Sequence, residues 1–175
     1  IGVFMSYAST WLCVKQSVYN FYFAILAVIS YSILFYSLDL FASMSLQLIL
    51  LPILIVGLYQ WYTKKESKTT SASLKTIINI VILSLITTGI TLIFSGKLPL
   101  LDSTIFFLSL IAQYLLILKK VETWLVWIIV NVISIYVYYQ SGAYLATLQY
   151  VLFLLNAFYG YYEWKKVRVN EATEA

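Results

Sequence analysis

Long apolar runs alternate with short polar breaks along the whole chain. The runs have the length and composition of membrane-spanning helices, without the apolar–polar alternation that is typical of strands. The first run is short for a hydrocarbon core of roughly 30 Å, so we expect further residues to precede Ile1. Seven spans are predicted, at residues 1–14, 20–37, 41–62, 74–95, 102–118, 123–140 and 143–164.

The overall composition agrees with an integral membrane protein. Hydrophobic residues make up 62% of the chain and charged residues 10%, whereas soluble domains carry about 25% charged residues. There is no histidine and one cysteine, which excludes a Cys/His metal site, and we expect no cofactor. The net charge of +4 does not indicate nucleic-acid binding, because the basic residues lie in short clusters beside apolar runs. The basic residues are therefore expected to face the lipid bilayer rather than a nucleic acid.

The distribution of basic residues predicts how the chain is oriented. On one side of the predicted membrane lie Lys15, Lys64, Lys65, Lys68, Lys75, Lys119, Lys120, Lys165, Lys166 and Arg168. The other side has only Lys97. Because basic loops stay in the cytoplasm, the N-terminus is predicted to lie outside and the C-terminus inside.

A weak internal repeat relates the two ends of the chain. The segment "LFASMSLQ" (40–47) resembles "GAYLATLQ" (142–149) at an offset of 102, which pairs Gln47 with Gln149. Similarly, "GLYQWYTKK" (57–65) resembles "GYYEWKK" (160–166) at an offset of 103. Asn20 lies 104 residues before Trp124, at the same point of the span that follows a lysine-bearing loop.

The repeat predicts two matching three-helix bundles joined by one helix. A single connecting helix gives both bundles the same direction across the membrane, so their pseudo-twofold axis lies along the membrane normal. Two aromatic clusters beside lysines at helix ends are expected to be interfacial anchors: Tyr59, Trp61 and Tyr62, and Tyr161, Tyr162 and Trp164. The polar segment 64–75 is expected only to connect. The predicted units are a first bundle at 1–62, a cytoplasmic linker and connecting helix 4 at 63–99, a second bundle at 100–164 and a cytoplasmic tail at 165–175.

The polar side chains inside the predicted spans are uncharged. Every Asp and Glu lies in a loop, in the tail or at a span end, which argues against a proton-driven pump and against an enzyme that needs a general base. Trp124, Trp127 and Asn131 are spaced i, i+3 and i+7, so a helix places them on one face. Further amides inside the spans include Gln47, Gln113, Gln149 and Asn156. Such amides can simply hold helices together, but with the indoles they would also suit a flat, cationic, hydroxyl-bearing ligand.

The segment "AQYLLILKKVETWLVWIIVNVISIYVYYQSGAYLATLQYVLFLLNAFYGYYEWKK" (112–166) resembles the PnuC family of nicotinamide riboside transporters. The features that match are the Gln-Tyr-Leu-Leu start, the Trp-x-x-Trp-x-x-x-Asn face, the turn before Tyr144 and the aromatic end with Trp164. The first half matches less closely, with Tyr19 and Phe23 where tryptophan is common. The resemblance implies an all-α membrane protein of seven helices in a 3+1+3 parallel-repeat arrangement similar to the SWEET sugar transporters.

The resemblance also implies a function and roles for particular residues. The expected activity is uptake of nicotinamide riboside by facilitated diffusion across the bacterial cytoplasmic membrane, made one-way by phosphorylation of the substrate inside. Trp124, Trp127 and Asn131 would hold the pyridinium ring. Gln113, Gln149, Asn156, Gln47 and Asn20 would hold the ribose side.

Two alternatives stay open at this point. Relatives of this kind carry thiamine, riboflavin or deoxynucleosides, so another vitamin precursor could be the substrate. The chain could also be a non-transporting, substrate-binding membrane subunit. The small-molecule substrate and the bilayer are the expected partners, and assembly into a homo-oligomer is left open.

Overall fold

A computed structural model describes residues 2–37, 41–63, 69–73, 78, 100–140 and 142–173. Over these residues the chain is helical, apart from a single isolated β-bridge. The helices are α1 (Gly2–Val14), α2 (Tyr19–Ser37), α3 (Phe41–Thr63), α4 (Leu100–Ile117), α5 (Thr123–Gln140) and α6 (Tyr144–Thr173). The predicted fourth span, at 74–95, lies outside the described residues except for residue 78.

The observed helix bounds agree with the predicted spans to within a few residues at five of these six helices. The exception is α6, which continues to Thr173, beyond the predicted end of the span at 164. Among the described residues, one helix, α5, is both long and apolar enough to cross a bilayer. Shorter apolar stretches are Gly2–Val14, Tyr19–Ile33, Gln47–Thr63 and Thr104–Ile117.

The chain divides into two compact units, Ile1–Ser67 and Lys68–Ala175. In the first unit, α2 packs against both α1 and α3. At its centre Phe21 and Trp61 meet edge to face, with ring centroids 5.2 Å apart. Trp61 is 2% exposed, so the prediction that it is an interfacial anchor was wrong. Trp61 is instead a core residue of this unit.

The turn that ends α1 is a Schellman motif. Gln16 adopts a left-handed backbone with φ of 52°. Its N–H donates to the carbonyl of Cys13, and the N–H of Ser17 donates to the carbonyl of Leu12. These two bonds satisfy carbonyl groups that the end of a helix otherwise leaves unpaired.

The turn that ends α4 repeats this geometry 103 residues later. Lys119 has φ of 50°, its N–H donates to the carbonyl of Leu116, and the N–H of Lys120 donates to the carbonyl of Leu115. The same pair of bonds recurs at an offset of 103 residues. At these two turns the backbone follows the internal repeat that the sequence predicts.

The repeated turns also fix which residues correspond. At an offset of 103, Trp124 corresponds to Phe21 rather than to Asn20, so the equivalence assigned to Asn20 from the sequence was wrong by one residue. The edge-to-face pairs Phe21–Trp61 and Trp124–Trp164 extend the same offset to α3 and α6. Along these continuous helices the register pairs Gln47 with Tyr150 rather than with Gln149. A one-residue slip on a helix turns a side chain by about 100°, so these corrections change which side chains share a face.

In the second unit, α5 packs between α4 and α6. The buried side of α5 consists of Thr123, Trp124, Val130, Asn131 and Ser134. Its exposed side consists of Leu125, Ile129, Val132, Tyr136 and Tyr139. The two sets lie on different sides of one helix, so the apolar set is available to face lipid while the polar set faces the bundle.

A short segment of the predicted linker packs onto the second unit. Thr70 and Lys120 form a parallel β-bridge, and the N–H of Val121 donates to the carbonyl of Thr70 at 3.2 Å. The N–H of Ala72 donates to Glu122 Oε2 at 2.9 Å. We call residues 69–73 the strap. The prediction that this segment only connects the bundles is corrected, because the strap is hydrogen-bonded to the α4–α5 turn.

Candidate functional site

Trp124 lies at the start of α5 and is enclosed by α6. A Cβ atom at Gly160 would lie 2.6 Å from two carbons of the indole ring. Trp164 meets the same ring edge to face, with centroids 5.5 Å apart. Trp164 is completely buried, which corrects its predicted role as an interfacial anchor. Trp124 is therefore packed in the core, which favours a supporting role over direct stacking on a ligand.

The buried face of α5 continues from Trp124 with two polar side chains. Asn131 is 3% exposed and Ser134 is fully buried. The Ser134 hydroxyl and the indole N–H of Trp124 have no hydrogen-bond partner among the described residues. Burying a polar group without a partner costs about 1–3 kcal/mol, so this face keeps polar groups at the expense of stability.

Asn156 supplies the matching polar group on α6. It is 5% exposed, and neither its amide nitrogen nor its amide oxygen has a partner within the described structure. The helices α5 and α6 touch near both ends, where Trp124 meets Gly160 and Tyr138 stacks on Tyr150. These two contacts fix which residues of the helices lie side by side. Between them, Asn156 lies at about the level of Asn131. Two buried amides therefore lie at a similar depth on neighbouring helices.

The remaining candidates of the second unit line the same bundle less deeply. Trp127, Gln113 and Gln149 are each half-buried. The hydroxyl of Thr123 donates to the carbonyl of Ala112, the residue before Gln113, at 2.7 Å. This bond ties the start of α5 to α4 and positions the segment that carries Gln113.

Two predicted site residues belong to the first unit. Asn20 is 3% exposed, and its side-chain nitrogen donates to the carbonyl of Ser17 at 2.6 Å. This bond gives Asn20 a local role in the turn before α2. Gln47 is half-buried on α3. Their predicted contact with substrate stays a prediction.

Ser134 is a polar residue of this face that the sequence reasoning missed. It follows Asn131 by three residues and continues the spacing of Trp124, Trp127 and Asn131 to i+10. Serine is common in membrane helices and usually bonds to its own backbone, so its residue type gave no signal. Extending the helical stripe by one more turn would have found it.

The chemistry available at this face is hydrogen bonding without charge. Neither α5 nor the part of α6 between Tyr144 and Tyr162 contains an Asp, Glu, Lys or Arg. No group of metal-ligating side chains occurs among the described residues. Indoles, amides and one hydroxyl can bind a flat, polar, neutral or cationic molecule, but they offer no acid or base of the kind that catalysis requires.

Comparison with known proteins agrees with this chemistry. The profile of the nicotinamide mononucleotide transporter family matches residues 1–166. The chain belongs to this family. Its members are membrane transporters, so the predictions of a transporter rather than an enzyme, and of an all-α membrane protein, are confirmed.

Individual relatives carry the name of a nicotinamide riboside transporter, PnuC. The one from Neisseria mucosa is 28% identical over 180 residues, which cover 89% of this chain and 68% of the relative. The one from Escherichia coli is 26% identical over 195 residues, covering 91% and 79%. The crystal structure of the vitamin B3 transporter PnuC matches with a TM-score of 0.76 at 25% identity, over 97% of this chain and 82% of that one. The suspected PnuC membership is therefore confirmed.

Proposed function

We propose that this chain takes up nicotinamide riboside by facilitated diffusion, and that phosphorylation in the cytoplasm traps the substrate. The observation that carries the proposal is the pair of buried amides, Asn131 and Asn156, at a similar depth in a bundle without intramembrane charge. Amides can donate to and accept from both a carboxamide and sugar hydroxyls. Trp127, half-buried one turn from Asn131, presents an indole to a cationic ring.

The family name mentions the mononucleotide, whereas the relatives are named for the riboside. The two ligands differ by a phosphate group, and transport proteins commonly hold phosphate with arginine or lysine. Between 121 and 164 the sequence contains no basic residue. The lack of a basic side chain in this stretch favours the uncharged sugar of the riboside over the mononucleotide.

The lack of acidic residues in the interior of the predicted spans also indicates how transport is driven. A carrier coupled to protons normally places an ionisable group within the membrane. Uniport needs no such group, because the substrate moves down its own gradient. Uptake becomes one-way when the product of phosphorylation, which carries a phosphate charge, no longer fits the uncharged site.

The architecture that goes with this function in our proposal has seven helices in a 3+1+3, SWEET-like arrangement. The N-terminus faces outward and the C-terminus lies in the cytoplasm, as the basic residues indicate. The membrane is the bacterial cytoplasmic membrane. Gln47 and Asn20, both in the first unit, are also proposed as substrate contacts.

Ligand binding by the purified protein is the first test. The detergent-solubilised protein is screened by thermal shift against nicotinamide riboside, its mononucleotide, thiamine, riboflavin and deoxynucleosides. A shift with the riboside that exceeds the shifts with all others is expected. Thiamine producing the larger shift would transfer the proposal to that vitamin precursor.

Uptake into proteoliposomes tests the mechanism. Purified protein alone should equilibrate labelled riboside across the bilayer, whereas a non-transporting subunit would show no uptake. Equilibration should persist after an uncoupler and a sodium ionophore remove ion gradients. Loss of uptake under the uncoupler, in vesicles that lack a kinase, would contradict uniport.

A further inference from the structure

Helical serine and threonine hydroxyls in this protein commonly bond to their own backbone. The acceptor is the carbonyl four residues earlier, as in Ser6 to Gly2, Thr10 to Ser6, Ser30 to Leu26, Ser32 to Val28, Ser109 to Ile105 and Thr147 to Ala143. This bond is the ordinary way for a hydroxyl to be satisfied where there is no water. A helical hydroxyl that does not make it is therefore informative.

Ser134 is such an exception. It lies within α5, where the carbonyl of Val130 is the corresponding acceptor, yet its hydroxyl has no partner among the described residues. Its side chain is completely buried. The hydrogen-bonding capacity of this hydroxyl is thus unused within the described structure.

We propose that Ser134 is a specificity-determining residue whose hydroxyl bonds to a ribose hydroxyl of the substrate. This inference rests on the proposed function. Ser134 lies three residues beyond Asn131, about 4.5 Å further along the helix. In the proposed arrangement the ring lies beside Trp127 and Asn131, and the sugar extends along α5 to the level of Ser134.

The position of Asn156 supports the proposed contact with a ribose. Its two amide atoms and the Ser134 hydroxyl are unpartnered and at least nine-tenths buried on adjoining helices. These three unsatisfied polar atoms cost stability without a bound partner. A sugar with several hydroxyl groups can satisfy all of them, since each hydroxyl both donates and accepts.

The decisive variant is Ser134→Ala, with Ser109→Ala as its matched control. Ser109 is a half-buried serine on α4 that donates to its own backbone. Affinity is measured by calorimetry on purified protein, with nicotinamide riboside and with three analogues that each lack one ribose hydroxyl. Thermal unfolding of each ligand-free variant is measured in parallel.

We expect Ser134→Ala to weaken riboside binding about three- to tenfold, the loss typical of one neutral hydrogen bond. The loss should disappear for one of the three analogues, which identifies the hydroxyl that Ser134 contacts. The unfolding temperature should stay equal or rise, because an unpartnered buried hydroxyl is removed. Ser109→Ala should leave riboside affinity unchanged.

Two results would overturn the role of Ser134 alone. One is unchanged riboside affinity in Ser134→Ala when the wild-type protein binds the riboside. The other is a lowered unfolding temperature with an equal loss for the riboside and all three analogues, which would show a structural bond. If the wild-type protein does not bind the riboside, the proposed function itself fails.

Discussion

Gly160 and the indole of Trp124 are in direct contact across α5 and α6. A Cβ atom at residue 160 would lie 2.6 Å from the ring, closer than packed atoms approach. The glycine therefore permits the approach of the two helices on whose facing sides the buried amides lie. Small residues at helix contacts serve the same purpose in many membrane proteins.

The first prediction concerns this contact. Gly160→Ala should destabilise the protein by about 1–3 kcal/mol, the usual effect of overpacking, because either the indole or α6 must shift. Thermal unfolding in detergent measures the loss. Combining Gly160→Ala with Trp124→Phe should restore most of the stability, since the smaller ring makes room and a phenylalanine occupies the corresponding position, Phe21, in the first unit. No recovery in the double variant would contradict the steric explanation.

The second prediction distinguishes the roles of the two tryptophans of α5, one in stability and one in binding. Trp124→Ala should lower stability by about 3–5 kcal/mol, as for other large core side chains, because it leaves a cavity beside Trp164. Trp127→Ala should leave unfolding almost unchanged and weaken riboside binding at least tenfold. Leu125→Ala, on the exposed side of the same helix, is the control and should alter neither property much. Unchanged affinity in Trp127→Ala would argue against its role in the site.

The third prediction concerns Asn156. Asn156→Leu replaces an unpartnered buried amide by an apolar group of similar size, so stability should rise or stay constant. Riboside binding should fall at least tenfold. In contrast, Thr123→Val removes a hydroxyl that is bonded to the carbonyl of Ala112 and should lower stability by about 1 kcal/mol. A drop in stability for Asn156→Leu would indicate that the amide serves the fold.

The fourth prediction concerns the strap. Glu122→Ala removes the acceptor of the Ala72 N–H, so hydrogen exchange at Ala72 should become faster. Exchange at Val121, which donates to the carbonyl of Thr70, should rise less because that bond remains. Lys166→Ala, at an exposed position on α6, should leave exchange in the strap unchanged. Equal protection of Ala72 in Glu122→Ala and wild type would refute the assigned bond.

The helices and the repeat were accessible from the sequence because they depend on local patterns. The length of each apolar run sets the helix bounds, and the lysines before Asn20 and Trp124 mark equivalent turns. The register of the repeat was harder to assign, because the sequence similarity gave offsets from 102 to 104. The left-handed residues Gln16 and Lys119 settle the offset at the turns, and neither residue type predicts that conformation.

The functional face was only partly predictable. Asn131 and Asn156 stood out because amides are costly inside a membrane. Trp61 and Trp164 were misassigned, since a tryptophan beside lysines at a helix end looks the same whether its ring faces lipid or a neighbouring helix. Only the partner ring, Phe21 or Trp124, distinguishes the two cases. Such a partner is far away in sequence, and therefore invisible to a local pattern.

The helix α6 continues beyond the predicted end of its span, to Thr173. A helix of 30 residues measures about 45 Å, so it exceeds a hydrocarbon core of roughly 30 Å by several turns. The stretch beyond Trp164 is about 14 Å long, and a tilt of roughly 10° there would sweep its tip through about 2 Å. A spin label near Thr173 would thus read out, at a distance, any rocking of the helix that carries Asn156.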